Sequence, residues 1–174
     1  WAHCRLGLVL PKAIGARPDF WSGKVMAFNA APSDLTGKTC IVTGANGGIG
    51  QSTIVHFLAQ GAQVFATDIA PLYAGTANAD LTYAQFDLLD ANGLGEATRW
   101  VQACQPDVFF NNAAVFDMGS VLEADLKQMD RLFGVNVRAF YALLQAASKS
   151  MVATTTKGSI INMASQAGHR GEAL

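Results

Sequence analysis

The sequence predicts an α/β protein built on a doubly wound parallel sheet. Three observations carry that prediction. Apolar runs of strand length alternate along the chain with segments of helical period, the pattern of strand–helix–strand crossovers. The runs are apolar almost throughout, as parallel strands covered on both faces require. A glycine-rich turn separates the first run from the first helical segment, where such a sheet keeps its ligand crevice.

The elements follow in order. "KTCIVTG", from Lys38, is a buried first strand. "GIGQSTIVHFLAQGA" sets Ile54, Phe57 and Leu58 at i, i+3 and i+4, a helix with one apolar face that Gly61 ends. "QVFATD" and "LTYAQFD" are the second and third strands, joined by the Ala/Gly-rich "IAPLYAGTANAD", which holds at most a very short helix. Asp90 can cap a helix carrying Ala97, Trp100, Val101 and Cys104. "PDVFFNN" is the fourth strand. Asp125 caps a long helix on which Leu126, Met129, Phe133, Val137, Phe140 and Leu144 recur at helical spacing. Asn136 falls between Phe133 and Phe140, on that apolar face. "GSIINMAS" reads as a buried fifth strand that delivers Ser165 to a turn.

Composition limits the function. The chain has 174 residues, 51% of them apolar and 14% charged, with a net charge of −1. That suits one domain with a real core and gives no electrostatic reason to expect nucleic acid. No apolar run reaches the roughly 20 residues of a membrane span. Cys4, Cys40 and Cys104 lack metal-ligand spacing, so neither a disulfide framework nor a metal site is expected, and a reducing, cytoplasmic setting is. Residues 1–37 read as an irregular extension ahead of a domain over 38–174. Met26 is the expected start, with 1–25 lying outside native coding sequence. Arg5, Lys12 and Arg17 before the first acid, Asp19, weakly suggest a transit peptide instead.

"TGANGGIG", Thr43 to Gly50, stands between the first strand and the first helix. Glycines there let the backbone approach a pyrophosphate, and a helix N-terminus supplies N–H donors and the positive end of its dipole. A glycine-rich turn without function is the bland alternative. Thr43-Gly44-x-x-x-Gly48-Ile49-Gly50 resembles the short-chain dehydrogenase/reductase family, and the likeness covers residues 38–174.

That resemblance implies a Rossmann-type sheet and a nicotinamide cofactor bound by Gly44, Asn46, Gly47, Gly48, Ile49 and Gly50. Asp68, ending the second strand, would accept hydrogen bonds from the adenosine hydroxyls and repel a 2′-phosphate, and otherwise reads as an N-cap or solvated turn aspartate. NADP-preferring relatives place Arg or Lys where this chain has Asn46, Gly47, Ile69 and Ala70, so NAD is expected. Asp87, followed by Leu88, matches the residue near the adenine amino group, although it also suits a plain turn. Asn111-Asn112-Ala113-Ala114 matches Asn-Asn-Ala-Gly with Ala114 in place of Gly; Asn112 would lie against the ribose and Asn111 would pin the sheet. Asn136 matches the family's catalytic Asn, whose backbone carbonyl holds a relay water, and otherwise reads as structural. Ser165 matches the serine that polarises the substrate oxygen, and otherwise reads as a turn residue.

The family's proton acceptor is Tyr in Tyr-x-x-x-Lys, on the helix after that serine. None of Tyr73, Tyr83 and Tyr141 has Lys four residues later, so that pair is expected beyond Leu174, the chain reading as a C-terminally incomplete fragment with little turnover of its own. "NNAAVFD", "DRLFGVNV" and "INMASQAGHRGEAL" look like bacterial sorbitol and polyol dehydrogenases, implying a sugar-alcohol substrate, with Gln166 and Phe116 as candidate lining. A 3-oxoacyl carrier-protein reductase or hydroxysteroid-type relative, and a truncated non-catalytic NAD-binding protein, are the competing readings. Homo-oligomers are common in the family.

Overall fold

The computed structural model describes residues 34–117, 119, 120 and 122–169. The chain divides into Trp1–Pro32 and Ser33–Leu174, and the second unit carries every described element. The expectations for residues 1–33, including Met26 as the start, lie outside the described residues.

Five strands form one parallel sheet: β1 (Thr39–Thr43), β2 (Gln63–Asp68), β3 (Leu81–Gln85), β4 (Val108–Asn111) and β5 (Ser159–Asn162). Their order is β3-β2-β1-β4-β5, with every pairing parallel. The chain therefore winds outward twice from β1, which is the doubly wound topology that the sequence predicts. The order reverses between β1 and β4, and a crevice opens there at the C-terminal ends of the strands.

Helix α1 (Gly48–Ala59) covers one face of the sheet; α2 (Ala91–Ala103) and α4 (Phe140–Ala153) cover the other. Strand alternation divides the core accordingly. Cys40, Val42, Val64, Ala66 and Phe110 meet Ile54 of α1, with Phe57 and Leu58 packed alongside. Ile41 and Phe109 meet Leu94, Ala97 and Val101 of α2 and Ala139, Leu143 and Ala147. Asp90 caps α2 by accepting from the Gly93 N–H at 2.7 Å. Gly61, at φ +81°, turns the chain out of α1. Its positive φ suits glycine, and a Cβ would stand 2.8 Å from Thr36 Oγ1. Residues 34–37 join this packing: the Leu35 N–H donates to the Gln60 carbonyl at 3.0 Å.

Cys40 and Cys104 are free. Burial, and then the charge of Asp107, pushes the Cys40 thiol up to about 11.

The long helix departs from its expected form. α3 (Leu126–Phe133) runs through a π turn, Gly134–Ala139, into α4. At its start Asp125 and Gln128 form a reciprocal capping box. The expected core stripe is exposed at Leu126, Met129, Phe133 and Val137, and Val135, Ala139 and Leu143 enter the core instead. α3 buries none of its residues, so the first part of the stripe stands clear of the core, and only beyond it does the π turn change the helical phase. Asn136 is correspondingly exposed rather than buried on an apolar face.

β5 reads as a buried run, but as the fifth and last strand in the sequence it is also expected to be an unprotected apolar edge, and the edge is what the structure shows. The strand pairs with β4 alone, and Ser159, Ile161 and Asn162 are exposed. Its apolar sequence fits a covered strand, but one neighbour leaves it at the sheet edge.

Candidate active site

Thr43 and Gly44 at the end of β1 face Asn112 and Ala113 after β4. Thr43 Oγ1 accepts the Asn112 and Ala113 N–H groups, both at 2.9 Å. The Asn112 amide returns the contact, donating to the Thr43 carbonyl at 2.9 Å and the Gly44 carbonyl at 3.3 Å. Asn111 Nδ2 donates to the Phe140 carbonyl at 3.1 Å and approaches Asn162 Oδ1 at 3.4 Å, tying β4 to α4 and β5.

The glycines of the loop do different work. Gly44 has φ +68°, and a Cβ there would lie 2.9 Å from Ala113 Cα. A Cβ on Gly50 would lie 2.1 Å from the Gly44 carbonyl oxygen. Both are required by the fold itself. Gly48 is different, because a Cβ there meets nothing within 4 Å. The packing of the protein gives no reason for glycine at that position, whereas a ligand against the backbone would. Gly47 is the N-cap of α1 but supplies no side-chain cap, and the first turn holds no acidic residue. The leading N–H groups of α1 therefore keep their affinity for an anion. Ile49, beside them, is 54% exposed.

Asp68 stands at the end of β2. Its Oδ2 accepts the Asn46 N–H at 2.9 Å, and its Oδ1 accepts the Ile69 N–H at 2.8 Å. These bonds fix the carboxylate and leave lone pairs for further donors. A cleft of about 170 Å³ brings together Gly44, Asp68, Asp87, Leu88 and Ala113. Asp87 Oδ1 also accepts the Leu89 N–H at 2.9 Å, a local turn bond. Thr67 lines the same cleft, and its Oγ1 is buried with no hydrogen-bond partner. A glycine loop open at Gly48, an uncapped helix start and a fixed carboxylate beside one cleft fit a dinucleotide.

The substrate-side candidates lie outside that cleft. Asn136 Nδ2 donates to the Val115 carbonyl at 2.8 Å while its Oδ1 accepts the Val115 N–H at 2.9 Å. The side chain thus clamps the strand-end segment to the π turn, where the Phe140 N–H reaches the Val135 carbonyl five residues back. Ser165 follows β5 and caps a 3₁₀ turn, Gln166–Gly168, its Oγ accepting the Ala167 N–H at 3.2 Å. Phe116 is 55% exposed after β4, and Gln166 begins the 3₁₀ turn. His56 and His169 are exposed.

Several residues at the site were not singled out from the sequence. Thr43 ties the two strand ends, and Arg131 and Val135 extend the cleft from the long helix. A threonine just before the first glycine was the available signal for Thr43. The helix residues carry no local signal, since only packing brings them to the cleft.

The fold and this cleft define a dinucleotide-binding α/β protein. A family model described as short chain dehydrogenase matches residues 38–174, and the chain belongs to that family. It is 36% identical over 149 residues to a sorbitol dehydrogenase of Cereibacter sphaeroides, covering 80% of this chain and 57% of that protein. It is 37% identical over 146 residues to a galactitol 2-dehydrogenase of Agrobacterium fabrum, with the same coverage. The chain thus spans little more than half the length of these relatives. Among solved structures, 4-hydroxyisoleucine dehydrogenase complexed with NADH aligns with a TM-score of 0.71 at 26% identity, covering 78% of this chain and 58% of that one. A blue fluorescent protein from a metagenomic library, in complex with NADPH, aligns at 0.69 and 31%, covering 80% and 61%.

Proposed function

We propose that this chain forms the cofactor-binding part of an NAD-dependent dehydrogenase that oxidises a sugar alcohol to a ketose. The observation that carries the reading is the convergence of Asp68, Asp87 and Gly44 on one cleft at the point where strand order reverses. The two polyol dehydrogenases among its relatives support the substrate class.

The assigned roles follow from placement. The backbone at Gly44, Gly47, Gly48 and Gly50, with Asn46 and Ile49 beside it, passes along the pyrophosphate. Asp68 accepts from the adenosine hydroxyls and opposes a 2′-phosphate by charge. Asp87 takes the adenine amino group, and Leu88 and Ala113 form apolar walls. Asn112 holds the ribose side of the crevice. NAD supplies the hydride acceptor when bound. Ser165 donates its hydroxyl proton to a hydrogen bond with the reacting oxygen of the substrate, and the Asn136 carbonyl holds a water for proton transfer. Gln166 and Phe116 line the polyol, whose hydroxyls need buried partners for discrimination. Oxidation also needs a proton acceptor within hydrogen-bond reach, and that role belongs to the Tyr-x-x-x-Lys pair that residues 1–174 do not contain. The 174 residues alone should therefore bind NAD with little turnover. A cytoplasmic enzyme acting on a small molecule, without nucleic acid or membrane as partner, completes the reading. Among the described residues, no helix is long and apolar enough to cross a membrane.

The test uses the protein expressed from its complete reading frame. NADH formation from sorbitol or galactitol is expected, with NADP a poor substitute. Ser165→Ala should cut turnover about 100-fold or more while NAD binding persists, as loss of a transition-state hydrogen bond does. Asp68→Ala should narrow the preference for NAD over NADP. NADP-dependent reduction of a 3-oxoacyl thioester, with no alcohol oxidation, would replace this reading with the reductase one.

A further inference from the structure

The segment from Ile69 to Asp80 joins β2 to β3 without a helix or strand of its own. Side chains hold its first half beside the glycine loop: Asp68 Oδ1 accepts the Ala70 N–H at 3.3 Å, Gln85 Nε2 donates to the Ile69 carbonyl at 2.8 Å, and Asn46 reaches further along it. Asn46 Nδ2 donates to the Leu72 carbonyl at 3.0 Å and to the Tyr83 hydroxyl at 3.3 Å. Asn46 Oδ1 accepts the Ala74 N–H at 2.8 Å. The Tyr83 hydroxyl, in turn, donates to the Ala70 carbonyl. On the backbone, the Asn46 N–H reaches Asp68 Oδ2, and the Asn46 carbonyl accepts from Gln51 Nε2 at 2.8 Å. The Tyr73 and Tyr83 rings pack beneath, their centroids 5.9 Å apart.

Two consequences follow from this inventory. An amide has two N–H donors and one carbonyl, and all three are engaged, so Asn46 has no side-chain donor left to offer a 2′-phosphate. The same bonds fix Leu72 and Ala74 relative to the loop, in the segment that follows Asp68 and Ile69 of the cleft.

We propose that Asn46 and Tyr83 form a latch that holds residues 69–74 against the glycine loop, positions Asp68 for the adenosine ribose and thereby sets the preference for NAD over NADP. This rests on the NAD reading above. Tyr83 touches neither substrate nor cofactor in this assignment and acts through Asn46 and the segment. Burial, and then the Asp68 charge, raises the phenol above its ordinary range, against the bond from Asn46 that lowers it. The hydroxyl therefore keeps the proton that it donates to Ala70.

The experiment compares the wild-type protein, expressed from its complete reading frame, with Tyr83→Phe and Asn46→Ala. Tyr83→Phe retains the ring and its packing against Tyr73, so it carries the test should Asn46→Ala fail to fold. NAD and NADP dissociation constants are measured by titration, and cleavage within residues 69–80 is followed by limited proteolysis without dinucleotide. The latch predicts about 5- to 10-fold weaker NAD binding in Tyr83→Phe, the scale of one lost hydrogen bond, with NADP much less affected. It also predicts faster cleavage of the segment. Equal losses for both dinucleotides, or an unchanged ratio with unchanged cleavage, would overturn it, since a merely structural tyrosine would move stability alone. A wild-type protein that binds neither dinucleotide would remove the NAD reading and the latch with it. Wild-type NAD binding beside an indifferent Tyr83→Phe would remove the latch alone.

Discussion

Gly48 and Gly50 share a helix start but answer to different masters. Gly50→Ala drives a Cβ into the Gly44 carbonyl at 2.1 Å, an overpacking that typically costs about 1–3 kcal/mol. Thermal melting should show that loss. Gly48→Ala meets open space and should leave the melting temperature unchanged or slightly raised, yet weaken NAD binding in a titration if a ligand lies against that backbone as proposed. Equal melting temperatures for the two variants would contradict this division. At the opposite end of the strands, Asp107 joins three of them. Its Oδ2 accepts the Thr39 N–H at 3.0 Å, its Oδ1 pairs with Lys38 at 3.0 Å, and its carbonyl accepts the Ser159 N–H at 2.8 Å. Burial alone would raise its carboxyl, but the Thr39 and Lys38 bonds and the Lys38 charge together hold it below the ordinary value of 3.8. A depressed folded value means stabilisation that is complete well above pH 3.8 and is lost as pH falls below it. Asp107→Ala should lower stability by about 1–2 kcal/mol at neutral pH, and the difference from wild type should shrink in urea melts near pH 3. NAD binding should not change, since the site lies at the other strand ends.

Among the elements, the helix from Leu126 to Ala153 shows how local pattern and packing part company. Its N-cap was legible because Asp125 stands just ahead of the apolar-periodic run and needs only local backbone to act, while the reciprocal bond from Gln128 was added by the structure. Its core face was not, because α3 buries no residue and the π turn at Gly134–Ala139 changes the phase before α4. The stripe left outside includes Leu126 at 75%, Phe133 at 57% and Val137 at 54% exposure. We propose this apolar stripe as the contact of the homo-oligomer that the family resemblance makes possible. Phe133→Glu should shift the protein to a smaller species in light scattering while its circular dichroism stays that of the wild type. An unchanged mass would exclude the stripe as the contact.

Across the molecule, the sequence by itself determined what depends on neighbours along the chain. Strand and helix alternation, the caps Asp90 and Asp125, the Gly61 stop and the glycine turn each rest on a few consecutive residues, and each is where it was expected. The doubly wound class followed because alternating elements leave parallel crossovers as the economical arrangement. Tertiary structure alone decided the rest. Strand order put β1 beside β4, and so put Thr43 against Asn112 and Asp68 in one cleft with Asp87. It turned Asn136 outward to clamp Val115. It also tied Asn46 to Tyr83 across 37 positions of sequence. Hydrogen bonds and contacts between residues that far apart leave no periodic trace in either segment, because each partner's side chain is compatible with many surroundings until the sheet closes around it.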